Sequence, residues 1–276
     1  MSVDATDARA GTADEDHQYG EPGMEPRAWT ISLVKALFPP ELDSLRALRA
    51  VCEDLGMDLP SSRVEDVPEQ DWVRLTQAQF EPIHASPRLW IVPSWCDSPT
   101  AGGEILVLDP GLAFGTGSHP TTRLCLNWID THLPAGASLL DYGCGSGVLA
   151  LAASRFGAGL VLGIDIDPQS IVSSRYNAEH NHCPIRFELP ADDPGGSFDV
   201  VVANILSNPL MVMAPMLVAR VKPRGELVLS GILERQAEQV MAAYAPWLAL
   251  SVWGREDGWV CLHGRRPEAG VDGAVL

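Results

Sequence analysis

Four short apolar runs constrain this chain more than any other feature: SLLDYG (138–143), GLVLGID (159–165), FDVVVANI (198–205) and GELVLSGI (225–232). Each is uninterrupted and bounded by turn residues, as strands buried on both faces are. Between them lie helical patterns near 148–156, 168–181 and 208–221. Strand and helix in alternation predict a parallel sheet wrapped on both sides by helices. The end changes character. LALSVWGREDGWVCLHGRR reads as two strands around a turn at Asp257-Gly258, so an antiparallel hairpin finishes an otherwise parallel sheet.

The rest of the chain is less regular. Residues 1–28 hold seven acidic and two basic residues and almost no large apolar side chain, which predicts a tail without fixed fold. Residues 29–68 read as a small α/β segment, with a strand at WTISLV, a helix over ELDSLRALRAVCEDLG stopped by Gly56, and a short second strand at SSRVEDV. Residues 69–104, with DWVRL and RLWIVPSW, read as a linker with extended segments. The regular domain is placed at 105–266, and 267–276 is left as a tail.

Composition narrows the class. Of 276 residues, 36 are Asp or Glu and 19 are Lys or Arg, a net charge of −17. That argues against a nucleic-acid binder, which needs a basic face for phosphates, and permits a basic protein partner. No run of about 18 apolar residues is available to cross a membrane. The six cysteines are scattered with no C-x-x-C, so reduced thiols in the cytoplasm are expected.

Three motifs carry chemistry. DYGCGSG (141–147) places Gly143, Gly145 and Gly147 between a strand and a helix, where a backbone free of Cβ atoms can turn tightly and approach a ligand. Val148 stands where a dinucleotide loop wants a third-spaced glycine, so NAD and FAD are disfavoured. GIDIDP (163–168) ends the next strand with Asp165, about 20 residues on, where a carboxylate can accept from both hydroxyls of a ribose. Asp167 before Pro168 reads as a helix cap. VVANIL (201–206) ends the fourth strand of the sheet with Asn204, whose carbonyl can accept from an amine or contact a cofactor; a simple helix cap is the other reading. No aromatic follows it, which favours an aliphatic amine over a planar base.

Upstream, GLAFGTGSHPTT leads into a helix. Its Thr121 or Thr122 can meet a ligand or cap the helix, and His119 reads as structural. His180 and His182 do not share a helix face and have no partner spaced to complete a metal site.

GLAFGTGSHPTT, DYGCGSG, GIDIDP, VVANIL and LSGIL (229–233) together resemble, in order and spacing, the ribosomal protein L-eleven methyltransferase family, from about Asp71 to Arg266. The resemblance implies a Rossmann-like seven-strand α/β methyltransferase sheet with S-adenosyl-L-methionine as cofactor. It implies cofactor contacts at Thr122, Gly143, Gly145, Asp165 and Asn204, with Asn204 also the catalytic group and no metal. It implies a substrate that is a basic large-subunit ribosomal protein, methylated on lysine side chains and its N-terminal amine. That family has an N-terminal recognition domain of two halves, and here only Trp29 to about Val67 answers to it, so the segment reads as truncated. A monomer is expected. The alternatives are a lysine methyltransferase for another protein and a protein that binds the cofactor without turnover.

Overall fold

The strands form where apolar side chains fill two faces at once. In the computed structural model, which describes residues 2–7, 31–38, 42–65, 80–99, 102–109, 115 and 117–268, the chain divides into two compact units, 1–70 and 71–276.

The first unit contains β1 (Ser2–Asp7) and β2 (Ser32–Leu37), an antiparallel pair with Ser2 opposite Leu37 and Asp7 opposite Ser32. The expectation of no fixed fold over 1–28 is therefore corrected at residues 2–7; residues 8–28 lie outside the described residues. SVDATD is short and acidic, and its strand conformation comes from a partner some thirty residues away rather than from local preference. Helix α1 (Ser44–Asp54) follows, with the Asp43 side chain accepting from the Arg46 amide and Gly56 in the left-handed region just past its end. Residues 61–65, read as a strand, are irregular.

The second unit begins with a three-stranded sheet of β3 (Ile83–Ser86), β4 (Leu89–Val92) and β5 (Glu104–Val107). β3 and β4 are antiparallel, β4 and β5 parallel. This segment, expected to be a linker, is part of the core: Ala85, Leu89, Ile91 and Leu106 are buried in one cluster with Leu124, Cys125 and Trp128 of α2 (Pro120–His132). DWVRL lies outside the described residues. A buried carboxylate fastens the small sheet to that helix. Asp130 accepts from Ser86 Oγ at 2.8 Å, from the Arg88 amide at 3.0 Å and from Arg88 Nε at 2.5 Å.

The main sheet has seven strands: β6 (Ser138–Tyr142), β7 (Leu160–Ile164), β8 (Arg186–Glu188), β9 (Phe198–Asn204), β10 (Val221–Leu233), β11 (Ser251–Glu256) and β12 (Trp259–Arg265). Their order is β11-β12-β10-β9-β6-β7-β8, and only β12 runs against the rest. The four apolar runs are the four central parallel strands, and the terminal hairpin turns at Asp257-Gly258, as expected from the sequence. Neighbouring residues serve opposite faces. Leu139, Val200 and Val202 pack with α2 and α3 (Val148–Arg155), while Leu140, Val201 and Ala203 pack with the second layer. That layer holds α5 (Ser207–Val212), α6 (Ala214–Ala219) and α7 (Ala237–Tyr244); α4 (Pro168–His180) joins β7 to β8.

The single helix expected over 208–221 is two. It breaks at Met213 (φ −88°, ψ 4°), because Pro215 has no amide hydrogen to continue the ladder and so begins a new helix.

Asp130→Ala is expected to lower unfolding free energy by about 2–4 kcal/mol, since it strips a buried hydroxyl and an amide of their acceptor. Urea denaturation followed by tryptophan fluorescence measures it; a loss below about 0.5 kcal/mol would show that Asp130 does not hold the small sheet.

Candidate functional site

The sheet order reverses at β6, which pairs with β7 on one side and β9 on the other. The loops after β6 and β9 diverge there, and the crevice at the carboxyl ends of the strands is where open α/β sheets take ligands.

After β6 the chain turns through Gly143 (φ +78°), Gly145 (φ +52°) and Gly147 (φ +81°). Side chains rarely tolerate this region, which is why the loop reads G-x-G-x-G. The amides of Gly143 and Cys144 donate to the Ile164 carbonyl at 2.7 and 3.0 Å and fix the loop to the end of β7. Asp165 is the next residue. One of its carboxylate oxygens accepts from the Gly145 amide at 2.8 Å and the other from the Asp167 amide at 2.9 Å. Each oxygen has a second lone-pair direction, so this half-buried carboxylate can also accept from a ligand diol. Asp167 caps α4 by accepting from the Gln169 amide, with Pro168 in the first turn, the role read from the sequence.

Gly147, as N-cap of α3, has no side chain to offer. Asp141 does the work from inside the sheet, its Oδ2 accepting from the Ala150 amide at 3.1 Å. Its Oδ1 has no hydrogen-bond partner, and the side chain is fully buried. Burial above all, and then the nearby Asp165 charge, push its carboxyl up to about 7 against the capping bond, which pulls it down.

Across the crevice Asn204 ends β9. Its amide NH2 donates to Thr122 Oγ1 at 3.3 Å, which leaves the carbonyl Oδ1 to accept elsewhere. Thr122 is buried in the first turn of α2. Two residues read separately from the sequence are thus joined, though 82 positions apart. His119 caps the same helix, its Nδ1 accepting from the Thr121 amide at 3.3 Å, with its ring edge against Trp259. Burial first, and then the Arg123 guanidinium, lower its pKa, so the imidazole is neutral and structural. Arg123 bonds Glu256 and ties the start of α2 to the hairpin turn of β11 and β12. Of the upstream glycines, Gly115 carries a carbonyl that accepts from Ser146 Oγ at 2.6 Å, and Gly111 lies outside the described residues.

Sequence reasoning missed Ser146, Asn177 and Gly231. Asn177 Nδ2 donates to the Ser146 carbonyl at 2.9 Å and braces the glycine loop from α4. The signal for Asn177 was its polarity at a buried helical position. Among the described residues no three His, Cys, Asp or Glu side chains are grouped to hold a metal ion, and no helix is long and apolar enough to cross a membrane. All six cysteines are free thiols.

The donor set fits S-adenosylmethionine. The glycine loop admits close backbone approach, since a Cβ on Gly143 would overlap Ile205 Cγ2, and Asp165 and Asn204 stand at its two sides. Fold and site define an S-adenosylmethionine-dependent methyltransferase of the Rossmann-like class. A family model described as ribosomal protein L11 methyltransferase (PrmA) matches residues 1–267, so it takes in the N-terminal unit that the motifs alone did not. The chain belongs to that family.

It is 57% identical over 270 residues to the ribosomal protein L11 methyltransferase of Cupriavidus taiwanensis, covering 97% of this chain and 91% of the relative. The same-named protein of Cupriavidus metallidurans is 56% identical over 275 residues, covering 99% and 90%. Among solved structures, the ribosomal protein L11 methylase of Lactobacillus delbrueckii subsp. bulgaricus is similar with TM-score 0.64 and 35% identity, over 68% of this chain and 100% of that one. A methyltransferase from Pyrococcus furiosus, at 18% identity and TM-score 0.51, shares the fold.

The raised Asp141 pKa gives a pH signature. The native state keeps a proton that the unfolded chain releases near the ordinary carboxylate value. The contribution is therefore full below about pH 4 and declines as pH rises through about 7. Asp141→Asn is expected to remove this decline while keeping an acceptor for Ala150. Urea denaturation of both proteins from pH 4 to 8 measures the difference, and parallel curves would show that Asp141 is ionised throughout.

Proposed function

We propose that this enzyme methylates lysine side chains, and the N-terminal amine, of the large-subunit ribosomal protein L11 in the cytoplasm, acting as a monomer. The observation that carries the reading is the Asn204–Thr122 bond at the crevice. It engages the amide NH2 and turns Oδ1 into a fixed acceptor at the end of β9. The named relatives at 56–57% identity supply the substrate, and the net charge of −17 suits a basic protein rather than a nucleic acid.

When bound, S-adenosylmethionine supplies a methyl group on a sulfonium, a leaving group that needs no acid. The residues that would hold it are Gly143, Gly145 and Asp165 on one side and Thr122 and Asn204 on the other. The chain's own work is orientation. Asp165 fixes the glycine loop through the Gly145 amide and receives the ribose hydroxyls on its remaining lone pairs. Asn204 Oδ1 and the backbone carbonyls after it receive the amine hydrogens and aim the lone pair. Free lysine titrates near 10.4, so the amine must arrive neutral. A dry crevice lowers its pKa, and the proton leaves to water before transfer.

Methyl-labelled cofactor incubated with purified L11 and with cell extract tests the reading. Label on L11 supports it. Label on another protein only points to a different substrate, and no label to a binding protein.

Two variants follow. Asp165→Ala is expected to weaken cofactor binding by about 1–3 kcal/mol, the scale for hydrogen bonds to a charged acceptor; calorimetry on the folded variant reads it, and unchanged affinity removes Asp165 from the site. Asn204→Ala is expected to lower kcat more than it raises KM for the protein substrate, because aiming the amine acts in the transition state. Steady-state kinetics decides, and a normal kcat would leave Asn204 as a cap.

A further inference from the structure

LSGIL recurs in the family resemblance, yet nothing above gives it a role. Its Gly231 lies in β10 with φ +83°, where the strand leaves its ladders. Ser230 is the last residue paired with β9, opposite Asn204, and the register with β12 shifts between Leu229 and Ile232. Beside this bulge runs the main chain of Ile205. A Cβ on Gly231 would overlap the Ile205 carbonyl oxygen, 2.7 Å from its carbon and 3.1 Å from its amide nitrogen. On the other side is Gly143, whose Cβ would overlap Ile205 Cγ2. Ile205 is thus held between two glycines, its backbone against one and its side chain against the other. Its side chain also packs on the core cluster under α5, α6 and α7, so it has no room to swing aside.

We infer that Gly231 and Gly143 are positioning residues that clamp Ile205, and through it set Asn204 at the reacting amine while coupling that group to the cofactor loop. The inference rests on the reading of Asn204 as the acceptor-aiming group. A packed core passes small shifts on rather than absorbing them, and displacement of a reacting group by about an ångström can cost roughly a hundredfold in rate.

The two glycines meet different parts of Ile205, and the test uses that. Gly231→Ala is expected to lower kcat for methyl transfer to L11 by roughly ten- to a hundredfold, with cofactor affinity nearly unchanged. Gly143→Ala is expected to lower kcat and weaken cofactor binding. In that background Ile205→Ala, which removes Cγ2, is expected to restore part of kcat, whereas Ile205→Val, which keeps both γ carbons, restores none. Neither rescues Gly231→Ala, where the overlap is with main chain.

Gly157→Ala is the control for backbone strain: φ is +90°, but nothing lies within 4 Å of the added carbon, and kcat should hold. The clamp is overturned by wild-type kcat in Gly231→Ala, by an equal loss in Gly157→Ala, or by equal rescue with alanine and valine. Should Gly231→Ala fail to fold by thermal melting, the alanine–valine comparison at Ile205 decides. A wild-type enzyme that transfers no methyl to L11 sinks the underlying reading of Asn204. Wild-type transfer with an indifferent Gly231→Ala sinks the clamp alone.

Discussion

The parallel pairing of β6 with β9, with Leu139, Leu140 and Asp141 opposite Val200, Val201 and Val202, is what the site depends on. These residues are buried to the last few square ångströms, and their backbone groups have no water to bond instead. The pairing fixes register, and register sets where each strand ends. Gly143 and Asn204 then meet at one edge although about sixty residues separate them. Every contact in the crevice inherits its position from that ladder, including the Asn204–Thr122 bond and the packing of Ile205 against Gly143.

Two carboxylates flank the glycine loop and differ only in surroundings. Asp165 sits at the rim, accepts from two backbone amides and keeps lone pairs toward the crevice. Asp141 lies beneath the loop, fully buried, with one oxygen on the first turn of α3 and the other without a partner. The first organises a ligand site; the second holds the helix that begins at it. Their proximity disfavours two charges together, and burial decides which of them gives up its charge.

The interior was legible because its strands carry their own signal. FDVVVANI and SLLDYG cannot be exposed, and glycines before a helix have few other uses. Caps were legible for the same local reason, as at Asp167 and Asp43. What escaped depends on distant partners. β8 has only Phe187 buried between two charged residues, so its strand character comes from lying along β7. β1 is acidic and short and exists by pairing with β2. The segment 83–107 looked like a linker because its prolines and turns are local, while the burial of Leu89 and Ile91 against α2 is not. Gly231 was quoted within LSGIL but not understood, since its reason is a carbonyl 26 residues back in the chain.

The hairpin of β11 and β12 bears on how the protein is made. β10 presents one edge to β9 and the other to β12, the last strand in the chain. On a ribosome β9 and β10 emerge first, so one edge of a strand rich in Leu and Val stays without a hydrogen-bonding partner until residue 265 has left the exit tunnel. Arg123, synthesised long before, waits for Glu256 in the same hairpin to fix the start of α2 beside Asn204. The nascent chain therefore carries both its most adhesive edge and an unfinished crevice until translation is almost complete, and both are closed by the same few residues.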